Sequence, residues 1–160
     1  MNIFITVGTG KFDALIKEID TLAPNLNHNI TAQIGKGKYI PKNITFFRFK
    51  SSLQEEYQKA NLIIAHAGAG TTYEILAMNK KLISIANLER TDHHQLDIVK
   101  KFSQEGYLVW CKDLKQLTDC IQKLNNITFK KYQKPKCTIA ETIQKYVHYK
   151  NKIASLKKND

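Results

Sequence analysis

The sequence predicts an α/β fold in which helices cover both faces of a parallel sheet. Short apolar runs rich in Ile, Val and Leu alternate along the chain with segments whose apolar residues recur at helical spacing. The short runs are apolar almost throughout, as strands are when both faces of a parallel sheet are buried. This alternation is typical of βαβ units in a doubly wound sheet.

The first part of the chain contains four predicted strands and the helices that join them. The first strand covers residues 2–7, and the amphipathic helix after it is marked by Phe12, Leu15, Ile16, Ile19 and Leu22. Further strands are predicted at residues 29–35, 44–49 and 62–66. Between the last two, Ser51 or Ser52 is a candidate N-cap for a short helix that ends near Lys59.

The same alternation continues to residue 124. A helix is predicted at residues 71–79, a strand at 82–86 and a second helix at about 93–105. Gly106 lies where that helix should stop. Residues 107–110 are the sixth predicted strand, and a helix at 114–124 completes the α/β unit.

The chain changes character after residue 128. From 129 to 160, nine lysines stand against two acidic residues, a net charge of +7, whereas the first 128 residues carry only +4. A basic linker leads into a long amphipathic helix, marked by Ile139, Ile143, Tyr146, Val147, Ile153 and Leu156. We therefore divide the chain into an α/β domain (1–128) and a basic linker with a C-terminal helix (129–160). Such a basic segment contacts nucleic acid, an anionic membrane or an acidic partner, or is simply solvated.

Composition is that of a globular, cytoplasmic protein. Of the 160 residues, 42% are hydrophobic and 24% charged, which is ordinary for one soluble domain. No apolar run approaches the roughly 20 residues that span a bilayer. The opening MNIFITVGTG does not have the pattern of a secretion signal. Three widely spaced cysteines suit a reducing compartment.

Three loops are expected at one edge of the sheet, because parallel strands all end there and ligands bind there. They are GTGK after the first strand, HAGAGTT after the fourth and NLERTDHHQ after the fifth. The first two are glycine-rich and open helices, whose first N–H groups and partial positive charge favour phosphate. Two such loops on one edge predict a diphosphate site.

Several other nucleotide, catalytic and metal motifs are absent from the sequence. A dinucleotide G-x-G-x-x-G would need glycine at Asp13, and a Walker loop would need Ser or Thr at Phe12. G-x-S-x-G, C-x-x-C, H-E-x-x-H and D-x-D do not occur. We therefore expect no metal site and no cofactor.

The chain resembles the C-terminal domain of glycosyltransferase family 28 from residue 1 to about residue 122. The resemblance rests on TVGTGKFDALI, HAGAGTTYEILAMNKKLISIAN and DHHQLD, and above all on H-x-G-x-G-T-x-x-E followed by D-x-H-Q. The family includes the catalytic subunit of a two-part N-acetylglucosaminyltransferase acting on dolichol-diphosphate sugars. It also includes bacterial enzymes of exopolysaccharide and capsule assembly. The resemblance implies a Rossmann-like domain, the donor-binding half of a GT-B fold.

The resemblance also implies roles for the loop residues. His66 would point at the distal phosphate and Glu74 would accept hydrogen bonds from the ribose hydroxyls; these two are the candidate catalytic residues. The residues implied to hold the diphosphate are Gly8, Thr9, Gly10, Gly68, Gly70, Thr71 and Thr72. Those implied to contact the donor sugar are Asp92, His94 and Gln95. The family usually has proline at Lys81 and asparagine at His93, and the second difference leaves the choice of sugar open.

Each assignment also has a structural alternative. The alternative for Glu74 is an ordinary exposed helix glutamate, and the alternative for His66 is a buried structural histidine; both are the less favoured interpretations. Thr71 and Thr72 are good helix caps, and Gln95 fits a surface position. Three loops converging on one edge favour the binding roles over these alternatives.

The family implies a UDP-sugar-dependent, inverting glycosyltransferase that transfers to a lipid-diphosphate-linked saccharide. The donor could be UDP-glucose, UDP-galactose or UDP-N-acetylglucosamine. Enzymes of this architecture keep the acceptor site and base on a second lobe, for which this chain has no residues. We therefore expect a donor-binding subunit that acts with a membrane-anchored partner, peripheral at the inner face of the membrane. The basic helix would pack on that partner and on anionic lipid.

The alternatives from other classes are a non-catalytic nucleotide-sugar-binding or enhancer subunit and a nucleic-acid binder. The complete block from His66 to Gln95 argues against the first. Tyr146 and Tyr149 among lysines are thin support for the second, and no nucleic acid is expected.

Overall fold

Six strands alternate with helices along the chain. The computed structural model describes residues 1–87, 94–135 and 138–156, without the side chains of residues 94, 125 and 150–156. The strands are β1 (Asn2–Thr6), β2 (Asn29–Gln33), β3 (Thr45–Phe47), β4 (Leu62–His66), β5 (Leu82–Ile85) and β6 (Val109–Trp110). The helices are α1 (Asp13–Leu26), α2 (Gln54–Lys59), α3 (Ala69–Ala77), α4 (His94–Gln104), α5 (Leu117–Lys123) and α6 (Ile139–Leu156).

The strands form one parallel sheet in the order β3-β2-β1-β4-β5-β6. Phe4 of β1 is paired with Thr31 of β2 on one side and with Ile63 of β4 on the other. The chain therefore adds β2 and β3 on one side of β1 and then crosses to build β4, β5 and β6 on the other side. This is a doubly wound sheet, and the predicted fold class is confirmed.

Each face of the sheet carries its own apolar core. Ile3 and Ile5 of β1 point to the face covered by α1 and α5, where Leu15 and Leu117 are fully buried. Phe4 points to the opposite face, which is covered by α2, α3 and α4. The alternation of side chains along a strand explains why both faces need apolar residues.

Some element boundaries differ from those predicted. α3 begins at Ala69, two residues before the predicted start, because Gly68 is extended and the glycine loop itself forms the first turn. β6 is limited to Val109–Trp110. The predicted helix at 114–124 is a short α-helix flanked by 3₁₀ turns at Leu114–Gln116 and Leu124–Asn126.

Helix α1 continues to Leu26, past Leu22, the last of the apolar residues that marked it in the sequence, although it contains Pro24. Proline has no N–H to donate to the carbonyl four residues earlier, which belongs to Asp20. That carbonyl accepts a hydrogen bond from Asn43 Nδ2 at 3.0 Å instead. The loop before β3 thus compensates for the bond that proline removes.

The first residues of the basic linker pack on the α/β domain. Lys130 N–H donates to Gly106 O at 3.0 Å, and Tyr132 N–H donates to Asn79 Oδ1 at 2.9 Å. The ring of Tyr132 lies 5.5 Å from that of Tyr107, centroid to centroid. On α6, by contrast, the described side chains are exposed. Across the described helices, none is both long and apolar enough to cross a membrane.

Candidate functional site

A cleft of about 470 Å³ lies at the carboxyl ends of the strands, where β1 and β4 are neighbours. The chain leaves these two strands toward opposite sides of the sheet, and doubly wound sheets bind ligands at this position. The cleft is lined by the loop after β1, by the loop after β3, and by the end of β4 with the first two turns of α3. Two of the three loops predicted from the sequence therefore meet in one place.

The first glycine loop forms one wall of the cleft. Gly8 and Thr9 line it, and Gly8 has φ +65, which favours glycine. Gly8 N–H donates to Thr6 Oγ1 at 3.1 Å, which anchors the turn to the end of β1. Gly10 does not line the cleft: its carbonyl accepts a hydrogen bond from Lys36 N–H at 2.8 Å, behind the loop.

His66 ends β4, and its half-buried ring lies between the two glycine loops. A Cβ atom at position 8 would lie 2.7 Å from Cε1 of His66, and one at position 68 would clash with its Nε2. Gly8 and Gly68 are therefore the residues that leave room for the imidazole. The Nδ1 atom is 3.5 Å from Thr6 O, and the ring reaches both loops that could hold a phosphate.

Helix α3 presents one face to the cleft. Gly70, Thr71 and Glu74 all line it, as residues three and four apart on a helix should. Glu74 is exposed on the second turn, one turn beyond the free N–H groups of the helix start. Thr72 is on the opposite face: its side chain is fully buried, and its Oγ1 has no hydrogen-bond partner.

The third predicted loop is described only in part. Asp92 and the side chain of His94 lie outside the described residues. Gln95 is buried, and its Oε1 accepts a hydrogen bond from Asn87 N–H at 3.0 Å. Asn87 Nδ2 in turn donates to Lys11 O at 3.0 Å, so Gln95 connects α4 to the first glycine loop. Its contact with a donor sugar stays a prediction.

The segment from Phe49 to Gln54, after β3, forms a further wall that the sequence analysis missed. Phe49 is half exposed, and Lys50 lies 4.7 Å over the ring of Phe47 and forms an ion pair with Glu56. Part of the signal was in the sequence, because the third strand should end at the same sheet edge as the glycine loops. The predicted strand at 44–49 included Phe49, however, whereas β3 ends at Phe47 and leaves Phe49 in the loop.

Tyr57 of α2 also lines the cleft, although only 2% of its surface is exposed. Burial raises the pKa of its hydroxyl to about 12, and the negative charge of Glu74 adds to the shift. Tyr57 is therefore a neutral hydrogen-bond donor at physiological pH.

Within the described part of the chain, no three His, Cys, Asp or Glu side chains are grouped so that they could hold a metal ion. The cleft instead offers backbone N–H groups, hydroxyls and one imidazole. Such donors can hold a diphosphate without a metal.

The family model of the glycosyltransferase family 28 C-terminal domain matches residues 2–151. The chain belongs to this family. Over 125 residues it is 36% identical to the human UDP-N-acetylglucosamine transferase subunit ALG13, a match that covers 68% of this chain and 11% of that protein. The chain thus spans about a tenth of the length of this relative.

Solved structures of other proteins have the same fold. The NMR structure of ALG13 superimposes with a TM-score of 0.60 at 20% identity, covering 83% of this chain and 89% of that one. MurG from Acinetobacter baumannii superimposes with a TM-score of 0.64 at 24% identity, covering 78% of this chain and 41% of MurG. The family match at residues 2–151 includes every residue that lines the cleft.

Proposed function

We propose that this chain is the donor-binding catalytic subunit of a two-component glycosyltransferase that uses a UDP-sugar. One observation carries the proposal: the cleft at the β1–β4 switch point brings both glycine loops, His66 and Glu74 together. The name of the human relative, a UDP-N-acetylglucosamine transferase subunit, supports UDP-N-acetylglucosamine as the donor.

The start of α3 suits the diphosphate of the donor. Gly70 and Thr71 line the cleft in the first turn of the helix, where N–H groups are free of intrahelical partners. An added Cβ at Gly70 would meet nothing within 4 Å, so a phosphate can approach the backbone closely. His66 adds a ring N–H donor on the side of the first loop.

The nucleoside would extend toward Glu74 and the loop after β3. The Glu74 carboxylate is an acceptor for the two ribose hydroxyls, and charge-assisted hydrogen bonds of this kind are among the stronger ones. The exposed ring of Phe49 offers a surface on which a base can stack. Both residues line the same cleft.

In the reaction, a hydroxyl of the acceptor attacks the anomeric carbon of the sugar, and the bond from that carbon to the UDP oxygen breaks. Negative charge develops on the UDP, where the helix start, Thr71 and His66 stabilise it. The base that takes the proton of the attacking hydroxyl belongs, in this proposal, to a partner subunit that binds the acceptor. Attack from the face opposite to UDP inverts the anomeric centre.

The exposed apolar residues of α6 support a partner subunit. Ile139, Ile143 and Val147 are 66%, 57% and 50% exposed, and their spacing places them on one side of the helix. We propose that this stripe packs on a membrane-anchored partner that binds a lipid-diphosphate-linked saccharide, with the lysines near anionic lipid. The chain would then be peripheral at the cytoplasmic face of the membrane.

Calorimetric titration of the purified chain with UDP tests the donor site. Wild type should bind UDP, and Glu74→Ala should weaken binding about 10- to 100-fold, because a hydrogen bond to a charged group is worth roughly 1.5–3 kcal/mol. Glu105→Ala is the matched control, since Glu105 is an exposed glutamate that does not line the cleft. Equal affinities of Glu74→Ala and wild type would contradict the ribose role, and no UDP binding by wild type would contradict the donor site in the isolated chain.

A further inference from the structure

Tyr57 combines a well-packed ring with a hydroxyl that the chain leaves unused. The ring is in the core under α2, with its centroid 5.8 Å from that of Phe4 in an edge-to-face arrangement. The hydroxyl oxygen is shielded from solvent and has no hydrogen-bond partner. A buried polar group without a partner destabilises the fold, so its retention calls for an explanation.

Two other buried hydroxyls in the described residues share this condition, those of Thr72 and Ser84. Neither residue lines the cleft, whereas Tyr57 does. Tyr57 also lies near enough to Glu74 for the carboxylate to raise the pKa of the hydroxyl. Tyr57 and Glu74 therefore line the same cleft, and the carboxylate is close enough to act electrostatically on the unused hydroxyl.

We propose that Tyr57 is a positioning residue for Glu74: when a ligand enters the cleft, the Glu74 carboxylate turns inward and accepts a hydrogen bond from the Tyr57 hydroxyl. This inference rests on the proposed function, in which Glu74 binds the ribose. Glu74 is exposed without a ligand, so its side chain is free to be drawn in. Bonded to Tyr57, the carboxylate has one orientation and is pre-organised for the two ribose hydroxyls.

A packing role and a positioning role predict different results for Tyr57→Phe. The substitution keeps the ring and removes only the hydroxyl. If the ring alone matters, the UDP affinity should not change. If the hydroxyl positions Glu74, the variant should be as stable as wild type or more stable, because an unpaired buried donor has gone, and yet it should bind UDP about tenfold more weakly.

Urea denaturation without ligand and calorimetric titration with UDP measure the two properties on the intact chain. Ser84→Ala is the matched control, because it also removes a buried hydroxyl without a partner but lies away from the cleft. It should retain both stability and UDP affinity. A Tyr57→Phe variant that is clearly destabilised and loses affinity in proportion would indicate packing and overturn the inference.

A double-mutant cycle with Glu74→Ala separates this inference from the proposed function. In the Glu74→Ala background, Tyr57→Phe should have no further effect on UDP binding. An equal loss in both backgrounds would mean that the hydroxyl acts independently of Glu74, and the positioning role would be wrong. If Glu74→Ala weakens binding and Tyr57→Phe does not, the donor site stands and the inference fails. If Glu74→Ala binds like wild type, the ribose role itself fails, and the inference fails with it.

Discussion

Gly35, behind the first glycine loop, and Gly70, in the second, lie at the same edge of the sheet but differ in whether the fold requires them to be glycine. Behind the first loop, Gly35 has φ +53, and an added Cβ would lie 2.9 Å from Gly8 O and would overlap Gly10 O. In the second loop, Gly70 lies in the first turn of α3, and an added Cβ would meet nothing within 4 Å. The fold itself therefore requires glycine at position 35, whereas no contact within the described chain requires it at position 70.

The hydrogen bonds around these two glycines differ as well. Arg48 donates to Gly35 O and Gly37 O at 3.1 and 2.9 Å, and the Asp13 carboxylate accepts from Lys38 N–H at 3.0 Å. Every one of these groups supports the turn behind the first loop. Near the second loop, the hydroxyl of Thr72 has no partner. Side chains thus hold the turn behind the first loop, whereas beside the second loop the buried hydroxyl of Thr72 is left unpaired.

The largest effect should come from the glycine that the fold requires. Gly35→Ala combines a left-handed backbone conformation with overlap against two backbone carbonyls, neither of which can move aside cheaply. We expect the free energy of unfolding to fall by about 3 kcal/mol, measured by urea denaturation. A loss below about 0.5 kcal/mol is typical of an unconstrained surface position. It would show that the fold requires glycine no more at position 35 than at position 70.

The carboxylate of Asp20 should give the next largest effect. It is buried and accepts hydrogen bonds from Tyr39 O–H at 2.7 Å, Asn43 N–H at 2.7 Å and Lys42 N–H at 3.0 Å. Asn at position 20 has one acceptor oxygen in place of two and turns an NH₂ toward these donors. We expect Asp20→Asn to destabilise the chain by about 2 kcal/mol at neutral pH in urea denaturation.

The pH dependence of that loss follows from the pKa of Asp20. Burial alone would raise this pKa, but the hydrogen bonds from Lys42, Asn43 and Tyr39 outweigh it, and the pKa is lowered. A lowered folded-state pKa contributes stability above the unfolded value of about 3.9, and this stability is lost as the pH falls through the folded value. The difference in stability between wild type and Asp20→Asn should therefore be constant above about pH 5 and narrow below about pH 4. A difference that stays constant down to pH 2 would contradict the role of the ionised carboxylate.

The fold and both glycine loops could be predicted from local sequence. Alternating apolar runs predicted the sheet, and the family resemblance carried by H-x-G-x-G-T-x-x-E implied that His66 and Glu74 share one site. Other features depend on the tertiary structure. Asp20 bonds to residues about 20 positions away, and the turn of α3 decides that Thr71 faces the cleft while Thr72 faces the core. The sequence placed the start of α3 at residue 71, two residues too late, and so did not reveal that Gly70 is already helical.

Tyr57 shows a second limit of the sequence. At its spacing in α2 it is indistinguishable from an ordinary core aromatic, and its ring is indeed in the core. Only the structure reveals that its hydroxyl has no partner and that the residue lines the cleft. Whether a hydroxyl has a hydrogen-bond partner depends on the residues that surround it in the fold, and the spacing of apolar residues in the sequence does not show these.

Gly70→Ala should have the smallest effect on stability. It is also the sharpest test of the difference between Gly35 and Gly70. Alanine is the better helix former, and the added methyl group has open space, so the free energy of unfolding should rise by about 0.5 kcal/mol. The same methyl group would occupy space that a phosphate needs at the helix start, and UDP affinity should fall about tenfold or more. Urea denaturation and calorimetric titration of one protein preparation measure both. A variant that is stabilised and still binds UDP like wild type would mean that the open space at Gly70 is not used by the ligand. A variant that is more stable but binds UDP more weakly would instead show that the ligand, and not the fold, requires glycine at position 70, at some loss of stability.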